Sequence, residues 1–129
     1  MKLLLDTHVF IWWADAPEQL SAVALAALEN GTNELILSVA SVWEMQIKIQ
    51  LGKLKMSAPL RDLVESQQTA NGISLLPIKL AHVLAIDVLP PHHKDPFDRL
   101  LIAQSITEGL TLVSADARLS VYPVSLLAW

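Results

Sequence analysis

The chain has 129 residues, 53% hydrophobic and 17% charged, with a formal charge of −4. That length fits one domain, the commonest range being roughly 100 to 150 residues, and the apolar balance excludes a disordered chain. Thirteen acids against nine Lys and Arg exclude the basic excess of a general nucleic-acid binder, and zero cysteines exclude disulfides, thiolate metal sites and a cysteine nucleophile.

In chain order, Lys2 to Leu5 reads as a short buried strand. Asp6 and His8 then interrupt the apolar start before a signal-peptide core of about 7 to 15 residues builds up, so a cytoplasmic protein is expected. Strictly apolar runs such as Val9 to Ala14 fall far below the roughly 20 residues of a membrane span. Trp12 and Trp13 diverge by about 100 degrees on a helix, so only one is expected to face the core and the other to line a partner interface.

Ser21 opens a helix to about Asn30, with Gly31 as its stop, and Glu34 to Ser38 follows as the second strand. Ser41 to Leu51 is the next helix, ended by Gly52, and Pro59 to Ala70 another. Ile73 to Pro77, a helical stretch from Lys79 to Asp87, the helix Pro96 to Gly109, Thr111 to Ser114 and an edge strand Val124 to Leu127 complete the alternation. Prolines break the loop Leu89-Pro-Pro-His-His-Lys-Asp-Pro, which is expected beside the site. The order predicts an α/β fold: a short central parallel sheet of four to five strands with helices on both faces, in one domain spanning residues 1–129.

Four acids stand where strands end or helices begin: Asp6, Glu44, Asp98 and Asp116. Ligands of parallel sheets gather at the carboxyl ends of the strands, and Asp6 and Asp116 lie just past the first and fourth. Carboxylates aimed at one place repel one another unless cations, shared protons or water stand between them. A hydrated Mg²⁺ or Mn²⁺ supplies that charge, and phosphodiester hydrolysis is the chemistry such a site suggests.

Each acid also has an ordinary explanation. Asp95 reads as the N-cap of the helix that Pro96 begins, and Asp98 as a first-turn acid favoured by the helix dipole. Asp98, however, opens the nearly uninterrupted apolar stretch LLIAQSI, which must pack deep and turn the carboxylate toward the strand ends. Glu44 has Lys48 at i+4, the order of a surface pair, on a helix that is apolar round most of its circumference.

Thr7 and Ser114 adjoin acids and are either partners of a carboxylate or metal-bound water, or turn caps. Lys48 and Arg99 are candidate phosphate contacts with salt-bridge alternatives. His8, His92 and His93 show no zinc spacing, and His8 is read as packed or capping rather than as a phosphate contact. There is no glycine-rich phosphate loop, GxSxG elbow or dinucleotide fingerprint.

Taken together, LLLDTHVFIWW, SVASVWEMQIKIQLGKLK, DPFDRLLIAQSITEGLTLVSAD and the apolar tail resemble a PIN-domain protein of the VapC toxin type across essentially the whole chain. The resemblance implies a metal-dependent ribonuclease in which Asp6, Glu44, Asp98 and Asp116 bind Mg²⁺ or Mn²⁺, with Thr7, Asp95 and Ser114 outside them. It also implies a small antitoxin that lays a segment across the acidic groove, and a homodimer formed through apolar helices, which agrees with the apolar surplus. Two rivals stand beside it: a PIN-type nuclease acting on another nucleic acid outside a toxin–antitoxin system, and a non-catalytic binding module whose acids are structural.

Overall fold

The computed structural model describes residues 1–129 as five parallel strands between helices on both faces. The first strand, β1 (Lys2–Leu5), sits at the centre, and its three leucines are fully buried. Side chains alternate along a strand, so Leu3 and Leu5 join one core, with Phe10, Leu37 and Met45, while Leu4 joins the other, with Leu101, Ile102 and Leu112. A near-continuous apolar run is what a strand covered on both faces requires, each leucine contributing roughly 1.5–3 kcal/mol.

The chain winds outward in two directions from that centre. Helices α1 (Thr7–Asp15) and α2 (Ala22–Glu29) lead to β2 (Glu34–Ser38), and α3 (Val39–Gln50) and α4 (Leu60–Asn71) lead to β3 (Ser74–Leu76). It then crosses back through α5 (Leu80–Ala85), a 3-10 turn (Ile86–Val88) and α6 (Pro96–Glu108) to β4 (Thr111–Ser114), and closes with a 3-10 turn (Ala117–Val121) and β5 (Ser125–Ala128). The spatial order is β3-β2-β1-β4-β5, all neighbours parallel. Connections therefore leave β1 and β4 in opposite directions, opening a crevice at their carboxyl ends.

Local chemistry explains the helix limits. Ser21 caps α2 by accepting the Ala24 N–H at 3.1 Å, and Asp95 caps α6 by accepting those of Phe97 and Asp98 at 2.8 and 3.2 Å. Gly72 and Gly109 end α4 and α6 in the left-handed conformation, at φ 65° and 67°.

Several expected limits move. Helix α3 starts at Val39, not Ser41, because Ser38 ends β2 and also caps the helix by accepting the Ala40 N–H at 3.0 Å. Strand β3 is shorter than expected, β5 lies one residue later, and the helix expected over 79–87 tightens to a 3-10 turn after Ala85. The two tryptophans are also corrected: both pack partly buried against the same core, Trp12 beside the C-terminal Trp129 at 6.3 Å between ring centroids. The returning tail and flanking helices cover a broader arc of α1 than a single sheet face would.

Candidate active site

Asp6 leaves β1 nearly buried, with both oxygens engaged. Oδ1 accepts the His8 N–H at 2.9 Å, which caps α1, and Oδ2 accepts the Ser114 hydroxyl at 2.8 Å. Ser114 Oγ in turn accepts the Asp116 N–H at 3.0 Å, so one buried hydroxyl at the end of β4 ties together the two acids of the crevice. Thr7 does the same for Glu44, donating to Oε1 at 2.7 Å. With its one proton spent there, the 3.0 Å contact between Thr7 Oγ1 and Ser41 Oγ has Ser41 as donor.

Asp98 comes to the same place from the first turn of α6. Burial, then the negative charges of Asp6, Asp95 and Glu44, push its carboxyl up to about 7. His93 Nε2 lies 3.2 Å from its Oδ2 and 3.9 Å from Asp116 Oδ2. Asp116 is better compensated: Arg118 donates from Nε to Oδ1 at 2.9 Å and from Nη2 to Oδ2 at 3.1 Å, and this guanidinium holds the carboxyl below the usual carboxylate range. His8 is raised by the Asp6 carboxylate against its own partial burial, its Nδ1 3.8 Å from Oδ1.

Asp6, Asp98 and Asp116 line one open groove of about 530 Å³, together with His8, Trp12, His93, Ser114 and Arg118. Glu44 lies behind that lining, buried, with Oε2 bound to Lys48 Nζ at 2.8 Å. Asp95 is spent on its helix cap. As the side chains stand, no three His or carboxylate groups surround a common ion-sized point; Ser114, His93 and Arg118 hold the groove's acids instead. The donor set nevertheless fits a hard divalent cation: carboxylate oxygens, no sulfur, and in Asp98 a carboxyl whose charged form burial and the neighbouring acids disfavour.

The two candidate phosphate cations are placed elsewhere. Arg99 is corrected: its guanidinium donates to the carbonyls of Pro90 at 2.9 Å, Ile86 at 3.3 Å and Leu89 at 3.4 Å, clamping the proline loop onto α6 rather than facing the groove. Lys48 takes its salt-bridge alternative with Glu44. The sequence reading weighed His93 only as a zinc ligand and passed over Arg118. The two-residue offset of Arg118 from Asp116 and the paired histidines of the proline loop were the available signals, and only the folded loop shows where they point.

A family model for the PIN domain matches residues 3–124. The chain is 32% identical to Ribonuclease VapC22 of Mycobacterium tuberculosis (strain ATCC 25618 / H37Rv) over 121 residues, 91% of this chain and 88% of that protein. Its fold is similar to that of VapBC2 from Rickettsia felis bound to a promoter DNA fragment, with a TM-score of 0.75 at 17% identity over 100% of this chain and 99% of the other. It is also similar to DNA-bound VapBC from Salmonella typhimurium, with a TM-score of 0.71 at 15% identity over 100% and 98%. Acids at the carboxyl ends of β1 and β4 and at the head of α6, on a sheet wound outward from β1, thus coincide with a family match across nearly the whole chain, which belongs to the PIN-domain family.

Proposed function

We propose that this chain is a divalent-metal-dependent endoribonuclease, the toxin of a type II toxin–antitoxin pair, acting in the cytoplasm with Mg²⁺ or Mn²⁺. The observation that carries the reading is the meeting of Asp6, Asp98 and Asp116 in one open groove, with Asp98 pushed up to about 7 by burial and the neighbouring carboxylates. Family membership and the ribonuclease name of a relative covering most of the chain support it.

Asp6, Asp98 and Asp116 would hold the cation, directly or through water, with Glu44 contributing charge from behind them. When bound, such an ion lowers the pKa of a coordinated water and neutralises charge growing on the phosphate. The protein's own groups prepare that state. Ser114 orients Asp6 and positions the backbone of Asp116, while Thr7 and Lys48 hold Glu44 in one rotamer. Arg118 and His93, which lie against Asp116 and Asp98, must turn aside to free those oxygens, and both side chains remain on the groove wall to meet the substrate's negative charge.

The partner follows the same logic. A small antitoxin laying a segment across this groove would meet three acids, and the VapBC structures that share this fold support such a partner. Purified, antitoxin-free protein should cleave mixed cellular RNA with Mg²⁺ or Mn²⁺ and lose the activity in EDTA or as Asp6→Asn. Cleavage that persists in a folded Asp6→Asn variant would sink this reading.

A further inference from the structure

A second pocket, about 210 Å³, opens beside the groove and is formed by the loop before α6 and the 3-10 turn after β4. It shares His93 and Arg118 with the groove as a common wall. Its floor is the buried ring of Tyr122, fixed by accepting the His93 N–H on its hydroxyl at 2.8 Å and an Arg99 guanidinium N–H at 3.4 Å. The His92 ring stands edge-on to that floor, 5.5 Å away at 66°, in an exposed residue, and Val121 is 55% exposed on the same rim.

Charge matters at the edge of the groove. The protein is negative overall, and three acids line the groove, so an approaching phosphodiester is repelled unless cations stand next to the acids. Lys48 and Lys79 are held by Glu44 and Glu108, Arg99 is spent on carbonyls, Lys2 lies at the opposite end of β1, and Lys53, Lys55 and Arg61, between the end of α3 and the start of α4, line neither pocket nor groove. Lys94 is exposed, makes no ion pair, and shares this rim with Arg118. Flat rings beside one unpaired cation, Lys94, and a second, Arg118, that leaves Asp116 when a cation takes its place match a single strand, which repeats a flat base and a charged phosphate at every nucleotide.

We propose that this pocket receives the RNA nucleotide next to the scissile phosphate, its base against His92 and Val121 and its phosphate on Lys94 and Arg118. The assignment rests on RNA being the substrate of the neighbouring groove. It makes His92 and Lys94 substrate-binding groups, with Tyr122 positioning the loop that carries them. The continuous wall between pocket and groove lets one strand occupy both, so the pocket fixes which bond lies over the carboxylates.

The test is binding of a fluorescein-labelled, mixed-sequence single-stranded RNA in EDTA, read by anisotropy across a salt series, for wild type, His92→Ala, Lys94→Ala and, as a charge-matched control, Lys2→Ala. His92→Ala should weaken binding about tenfold through lost stacking, with an unchanged salt slope. Lys94→Ala should weaken it several-fold and flatten the slope of log affinity against log salt by about 0.7, the share of one phosphate contact on a single strand. In metal-supported cleavage both should raise KM and leave kcat. Wild-type binding in His92→Ala and Lys94→Ala, or losses no larger than that of Lys2→Ala, overturns the pocket assignment while cleavage by wild type keeps the ribonuclease. Binding that drops in both variants, in a folded protein that cleaves no RNA, overturns the ribonuclease and with it the placement of this nucleotide beside a scissile phosphate, leaving only an RNA contact.

Discussion

Asp98 carries the site's electrostatic tension. Its folded pKa of about 7 stands above the ordinary 3.8, so the folded state holds the proton more tightly than the unfolded chain. Unfolding stability of the metal-free protein therefore falls as pH rises from about 4 through about 7, and the cost is absent at lower pH, where both states are protonated. Asp98→Asn should abolish cleavage yet melt several degrees higher than wild type at pH 7 in EDTA, with the gap closing near pH 4. Equal melting at both pH values would mean that Asp98 is not under strain, and full activity would remove it from the site. The identity of this acid was legible because an apolar helix had to bury what lay at its head. Of the groups around it, His93 comes from the proline loop just before the helix, while Asp6 and Glu44 come from distant segments and left no local trace.

Elements impose a different logic, in which the same residue type serves the chain rather than the chemistry. Asp95 and Asp98 are three positions apart on one motif, yet Asp95 points back to the N–H groups of its own helix and only Asp98 reaches the groove. Asp95→Ala should cost about 1 kcal/mol in urea unfolding and leave cleavage in place. Turnover lost without loss of stability would instead move Asp95 into the site. Caps, glycine stops and strand lengths were read from the sequence to within two residues at most ends because hydrogen-bond satisfaction is settled locally. The α3 start was misplaced for a reason of the same kind: Ser38, expected only as the last residue of β2, also caps the helix.

For the molecule as a whole, the open question is where the surplus of apolar residues goes. Leu80, Val83, Leu84 and Val88 are exposed along α5 and the turn after it, at the spacing of one helical face. The expected homodimer is proposed to use this face, which lies on α5, away from the groove's lining residues. Leu84→Glu should then convert a dimer to a monomer in sedimentation velocity without changing the melting of the folded unit at low concentration. A wild-type monomer at micromolar concentration would rule the proposal out. The membrane expectation is simpler: no helix is long and apolar enough to cross a bilayer.

The sequence by itself determined the alternation of strands and helices, the burial of β1 on both faces, and the presence of acids at the carboxyl ends of β1 and β4. All of these follow from side-chain periodicity, capping and the parallel order, which act over a few residues. Tertiary structure decided which acids share a groove and which stand behind it, that Arg99 clamps a loop while Arg118 holds Asp116, and that a histidine loop forms a pocket beside the acids. Those outcomes depend on contacts such as Ser114 with Asp6, 108 residues apart in sequence, whose partners are fixed only when α6 and β4 are packed against β1.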